Sequence, residues 1–185
     1  MFPGSRKFEL RYLADVFIKS AKELKKKHPD LQICISQAPN LPDEIYHKYI
    51  QNTDFKVIKG ENQALLSVSD ALILASGTVA LEAALYKTPR IIAYRGPILF
   101  YIIYLLVRCI KLVSLPNIIL NKMIVPEIIE HKVNVNNITY NIEKLLYDKD
   151  TRNKQTEGLS KVKSLLSDKV SSLEAASEII KALEL

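Results

Sequence analysis

Two short segments carry residue types suited to holding an anion. Ser76-Gly77-Thr78 stands where a continuously apolar run, Ala71 to Ala75, gives way to helical spacing. A helix start leaves backbone N–H groups without intrahelical partners and carries the positive end of the helix dipole, which together suit a phosphate. Gly77 lets the main chain approach a ligand closely, and the Ser76 and Thr78 hydroxyls add donors. Glu82 follows one turn after Thr78 on the same face, where a carboxylate can accept from sugar hydroxyls. The same residues also read as ordinary helix punctuation: Ser and Thr are common N-caps, and an early Glu complements the dipole. Gly4-Ser5-Arg6 is a second segment of this kind, ahead of the first helical pattern. Arg6 offers charge-assisted bonds to a phosphate, although alone it equally describes a solvated arginine. In a parallel sheet the two segments project from one edge and face one crevice.

Other chemistries find little support. His28, His47 and His131 are scattered without metal-ligand spacing, and the two cysteines, Cys34 and Cys109, sit far apart inside apolar runs. The sequence therefore predicts no zinc site and no disulfide framework, and points to a reducing compartment. No G-x-G-x-x-G or P-loop lysine occurs, nor any nucleophile–histidine constellation, so neither metal nor cofactor is expected. Lys+Arg number 26 against 20 Asp+Glu, a formal net charge of +6, but there is no Trp and no nucleic-acid motif, so no nucleic-acid partner is expected. Lys22 and Lys25-Lys26-Lys27 read as a solvated helix end.

The elements that must position these segments follow from periodicity. Leu10, Leu13, Ala14, Phe17, Ala21 and Leu24 predict an amphipathic helix over 8–27, stopped by Pro29. Strands are expected at 31–36, 55–59, 71–75 and 91–94, with helices at about 43–50, 62–69 and 77–86 between them. Residues 111–115 read as a candidate edge strand, followed by a Pro116-Asn117 turn. From Asn134 the pattern is helical only, with Ile138, Ile142, Leu145 and Leu146 on one face and two further helices over 151–167 and 171–184. With 185 residues, 48% of them hydrophobic, this is one ordinary α/β domain over 1–150, a doubly wound parallel sheet, and a helical tail over 151–185. Met1-Phe2-Pro3-Gly4-Ser5 gives a turn with almost nothing ahead of it. Either the first strand is missing or the chain is the back half of something longer.

Ile98 to Val107 is ten consecutive apolar or aromatic residues, including Phe100, Tyr101 and Tyr104. That is well short of the roughly 20 needed to span a bilayer. Tyr86 to Lys122 holds six basic residues (Lys87, Arg90, Arg95, Arg108, Lys111, Lys122) and no acidic one. The segment reads either as a buried core helix or as one lying in an anionic membrane surface.

Taken in order, these segments resemble the C-terminal half of the lipid-A-disaccharide synthases. The resemblance rests on Phe2-Pro3-Gly4-Ser5-Arg6, Ala75-Ser76-Gly77-Thr78-Val79-Ala80-Leu81-Glu82, Ala93-Tyr94-Arg95, Val113-Ser114-Leu115-Pro116-Asn117 and Val125-Pro126-Glu127. It implies the C-terminal Rossmann-like domain of a glycosyltransferase-B fold, which binds the nucleotide-sugar. The implied reaction is inverting and metal-free. It transfers 2,3-diacylglucosamine from its UDP derivative to 2,3-diacylglucosamine 1-phosphate and releases UDP.

By that resemblance Gly4, Ser5 and Arg6 face the donor phosphates, Ser76, Gly77 and Thr78 the diphosphate, and Glu82 the ribose. Tyr94, Arg95 and Asn117 line the cleft, and Arg6 and Asn117 are the candidates for stabilising the transition state. The apolar stretch after Arg95 implies peripheral attachment to the cytoplasmic face of a Gram-negative inner membrane. The acceptor site and general base would belong to an N-terminal domain supplied in cis or in trans. The chain alone is thus expected to bind donor without turnover, as a fragment, one product of a split gene or a decayed copy. The other reading is a non-catalytic, peripheral-membrane binding module. UDP-sugar 2-epimerases and the peptidoglycan glycosyltransferase share the nucleotide half-site, but the Ser-Leu-Pro-Asn and Tyr-Arg segments argue against them.

Overall fold

The computed structural model describes residues 1–97, 112–167 and 171–183. Its strands are β1 (Cys34–Gln37), β2 (Lys56–Lys59), β3 (Leu72–Ala75), β4 (Arg90–Tyr94) and β5 (Glu127–Ile129), all pairing in parallel. The helices are α1 (Lys7–Lys27), α2 (Asp43–Ile50), α3 (Asn62–Val68), α4 (Val79–Leu85), α5 (Leu115–Ile119), α6 (Val135–Tyr147), α7 (Lys149–Ser167) and α8 (Ser171–Ala182).

Two ladders, β1-β2 and β3-β4-β5, are joined by the first two residues of the chain. The Phe2 amide donates to the Ile73 carbonyl at 2.8 Å, and the Phe2 carbonyl accepts from the Ala75 amide at 2.8 Å. On the other side the Met1 carbonyl accepts from the Ser36 amide at 2.9 Å, and the Met1 amino group donates to the Cys34 carbonyl at 2.6 Å. Met1-Phe2 is therefore a two-residue piece of the strand expected ahead of the Pro3-Gly4 turn, and the sheet runs β2-β1-(Met1-Phe2)-β3-β4-β5.

β3 is buried on both faces, as its unbroken apolar run requires. Alternate residues serve opposite layers. Ile73 packs with Leu13, Phe17 and Leu24 of α1 and Ile138 of α6. Leu72 and Leu74 pack with Ala80, Ala83 and Ala84 of α4 and Leu159 and Val162 of α7. Helices on both faces make the sheet doubly wound.

α4 has only seven residues, too few to be stable by propensity. It is held from its C-terminal end by Arg90, which is fully buried. The Arg90 guanidinium donates to the carbonyls of Ala80 (2.9 Å) and Ala83 (2.7 Å), where a cation also complements the helix dipole. Gln155 of α7 fixes Arg90 in turn, accepting from its amide at 2.7 Å and donating to its carbonyl at 3.0 Å.

Two expectations fail in one region. No strand forms over 112–115, and Pro116-Asn117 is no turn: both residues lie in α5, where proline occupies the first turn and costs no hydrogen bond. The edge strand is instead β5, three residues long, one residue after Val125-Pro126. The apolar stretch Ile98 to Val107, with Arg108 and Lys111, lies outside the described residues.

Candidate anion-binding crevice

Beyond the carboxyl ends of Met1-Phe2, β1 and β3 opens a crevice of about 370 Å³. Its walls include Gly4, Ser5 and Arg6 from one junction and Ser76, Gly77, Thr78 and Glu82 from the other. Two segments some seventy residues apart in sequence are thus brought to one opening, at the place where open α/β sheets hold ligands.

At the α4 junction the ladder ends when the Ser76 amide donates to the Ala93 carbonyl at 3.0 Å. The first α4 amides to find main-chain partners are those of Ala80, Leu81 and Glu82. The Gly77, Thr78 and Val79 amides therefore stand at the helix mouth, and the Thr78 side chain makes no capping bond. Nothing lies within 4 Å of where a side chain on Gly77 would begin, so the main chain here is open to a ligand. Glu82 is exposed and, among the described residues, has no salt-bridge partner.

The α1 junction is filled from within. The Glu9 carboxylate accepts from the Ser5 amide at 2.7 Å and from the Arg6 amide at 3.3 Å, and lies 3.8 Å from the Arg6 guanidinium. Gly4 has φ +121, and a Cβ there would run into the Glu9 side chain. Glycine is needed for both reasons. The Arg6 side chain is 80% exposed, so its pairing with Glu9 is loose and the guanidinium can turn toward a ligand. Asn40 ties the loop by donating to the Ser5 carbonyl at 3.1 Å. Glu9 was not anticipated as a wall residue; its signal is an acid at the third helical position, the reciprocal half of a capping box. Ser36, at the end of β1, and Asn62, opening α3, are further wall residues that sequence reasoning missed, and they hydrogen-bond each other at 2.5 Å.

Three expected site residues are not in the crevice wall. Tyr94 and Arg95 are exposed at the carboxyl end of β4. Asn117 is fully buried, and its amide is spent on the protein. Its oxygen accepts from the Ile124 and Val125 amides at 2.8 and 2.9 Å, and its nitrogen donates to the Val125 carbonyl and to Glu127 at 2.8 and 2.7 Å. Glu127 also accepts from the amides of Val113 and Ser114 and from the Ser114 hydroxyl. Asn117 thus knots 113–117 onto β5. Close by, Glu130 accepts from the Gly96 amide at 3.1 Å, and burial pushes its carboxyl above the ordinary carboxylate range. Among the described residues no group of three or more His, Cys, Asp or Glu side chains is placed to hold a metal ion.

The chain matches the family model for lipid-A-disaccharide synthetase over residues 1–181. It is similar to the lipid-A-disaccharide synthase of Hydrogenovibrio crunogenus, with 34% identity over 189 residues, covering 98% of this chain and 49% of that protein. The synthase of Psychromonas ingrahamii is 34% identical over 150 residues (79% of this chain, 39% of that one). The synthase of Anaeromyxobacter dehalogenans is 30% identical over 183 residues (97% and 48%). The chain spans about half the length of these relatives or less.

Proposed function

Because the chain belongs to the lipid-A-disaccharide synthetase family, we propose that its crevice seats the diphosphate of a UDP-sugar and that the chain is the donor-binding half of a glycosyltransferase. The observation that carries this is the convergence of the two loop-to-helix junctions on one opening. Side-chain charge there is not net positive: Arg6 stands against Glu9 and Glu82. A diphosphate would therefore be held chiefly by main-chain N–H groups at the mouth of α4, with Arg6 completing the cradle once it leaves Glu9. Such pre-placed dipoles stabilise charge as it develops on a departing UDP. Glu82, one turn into α4 in the same wall, would accept from a ribose hydroxyl.

The donor in this reading is UDP-2,3-diacylglucosamine and the acceptor 2,3-diacylglucosamine 1-phosphate, with the acceptor site and general base on a second domain. The chain alone binds donor and does not turn over. Calorimetric titration with UDP tests the first part: saturable binding weakened by Arg6→Ala and by Glu82→Ala is expected, and no heat from the unaltered chain would remove the reading. Product formed from both acylated substrates by the purified chain would remove the second part.

Attachment to an anionic membrane surface belongs to the same reading. No helix among the described residues is long and apolar enough to cross a membrane. Leu115, Ile118 and Met123 are nonetheless exposed just after the apolar stretch, beside exposed Lys122. Cosedimentation with vesicles containing anionic lipid, but not with zwitterionic ones, is the expected result.

A further inference from the structure

Glu9 does more than cap α1. In a capping box the N-cap side chain accepts from the third helical amide, and the third side chain accepts from the N-cap amide. Here the N-cap is Arg6, which makes no side-chain capping bond because a guanidinium has no acceptor. The other half of the box overshoots. The Glu9 carboxylate makes its shorter bond, 2.7 Å, to the Ser5 amide outside the box, and its longer one, 3.3 Å, to the N-cap amide. With the Arg6 guanidinium 3.8 Å away, it engages two successive main-chain N–H groups and a cation. A phosphate would engage the same three groups. Glu9 also lines the crevice, its side chain 23% exposed, so it can leave these amides without crossing the core. The mouth of α4 differs, since the Thr78 side chain makes no capping bond there.

We propose that Glu9 is an internal counter-ligand, which yields the Ser5 and Arg6 amides to the second phosphate of a bound diphosphate and reclaims them as that diphosphate leaves. The inference rests on the reading of the crevice as a UDP-sugar site and adds how that site empties. A ligand with one phosphate is satisfied at the open mouth of α4 and leaves Glu9 in place. A ligand with two must displace it, so the opposition falls on diphosphates alone. That opposition has a use in a transfer reaction. When the sugar–oxygen bond breaks, the bonding pair stays on the oxygen and the terminal phosphate gains an anionic oxygen. UDP would then hold these amides more tightly than the donor it came from. The returning carboxylate counters that gain, so Glu9 sets how long the product stays.

Calorimetry and stopped-flow displacement on the full chain compare UDP with UMP across two variants. Glu9→Gln exchanges the carboxylate for a neutral, weaker acceptor. Glu9→Asp keeps the charge on a side chain one methylene too short for the Ser5 amide. Both should tighten UDP a few-fold, chiefly by slowing its dissociation, and both should leave UMP within about two-fold of the parent. A further readout uses the unaltered chain carrying carbon-13 at its glutamate carboxyls. The Glu9 carboxyl resonance should move on saturation with UDP and hold still with UMP. Equal tightening of UDP and UMP, or tightening by Gln but not by Asp, would reduce Glu9 to a fixed charge. Weakening of UDP by both variants would reduce it to a cap. Either result, or a Glu9 resonance that UDP does not move, overturns the proposal. Binding of UDP indifferent to Glu9 sinks this inference alone, whereas an unaltered chain that binds no UDP removes the crevice reading with it.

Discussion

Two strand–loop–helix units lie side by side in this sheet and share one crevice, yet they are built oppositely. The first has two residues of strand, Met1-Phe2, and a 21-residue helix whose Glu9 takes up the Ser5 and Arg6 amides just ahead of it. The second has a fully buried four-residue strand and a seven-residue helix whose mouth is open. The first unit is closed ahead of its helix; the second is open there. Sequence likeness between two glycine-bearing junctions says little about which one is free to bind. What decides is whether a side chain of the protein already occupies the amides.

The largest expected effect tests the hold on the Met1 amino group. Burial lowers the Met1 amino group from 8.0 to about 5. Between those values the unfolded chain binds a proton that the folded chain does not. Stability is therefore complete above pH 8 and lost as pH falls toward 5, by up to about 4 kcal/mol. Urea unfolding of the chain with an unmodified Met1 across pH 5 to 8 checks this, and a flat profile would mean that the first unit does not rest on that contact. Next, Gly4→Ala combines a left-handed backbone with a collision against Glu9. It should cost about 1–3 kcal/mol in the same assay. Gly77→Ala meets no protein atom. With φ +158 at that position the substitution carries backbone strain but no collision, so it should cost less stability than Gly4→Ala while weakening UDP about ten-fold, a difference of about 1.4 kcal/mol in binding free energy. If Gly77→Ala binds as tightly as the parent, the open mouth of α4 is not where the anion sits. The smallest effect belongs to Glu9→Gln, which removes a negative charge from the crevice. Loss of the cap should cost about 1 kcal/mol or less, and UDP affinity should rise a few-fold in calorimetry.

Where one physical cause dominated, the chain was easy to read in advance. The unbroken Ala71 to Ala75 run could be little but a strand covered on both faces, and the spacing of Leu10, Leu13, Phe17 and Leu24 put α1 within a residue of its bounds. The 112–129 region defeated the same method. Val113-Ser114-Leu115 has strand propensity, but Glu127 gathers the Val113 and Ser114 amides, and that carboxylate lies more than ten residues away. β5 spans three residues, too few to show a period. For the site, residue type and strand-end position were enough to bring the two junctions to one crevice. They could not reveal that Asn117 is buried, because a buried polar knot and an exposed ligand group use the same residue.

That knot has a consequence for the chain around residues 98–111. Glu130 holds Gly96 just before it, and Glu127 holds Val113 and Ser114 just after it, so both stems are fastened to carboxylates three positions apart at the sheet's edge. The two carboxylates therefore set where the chain departs at Gly96 and where it returns at Val113.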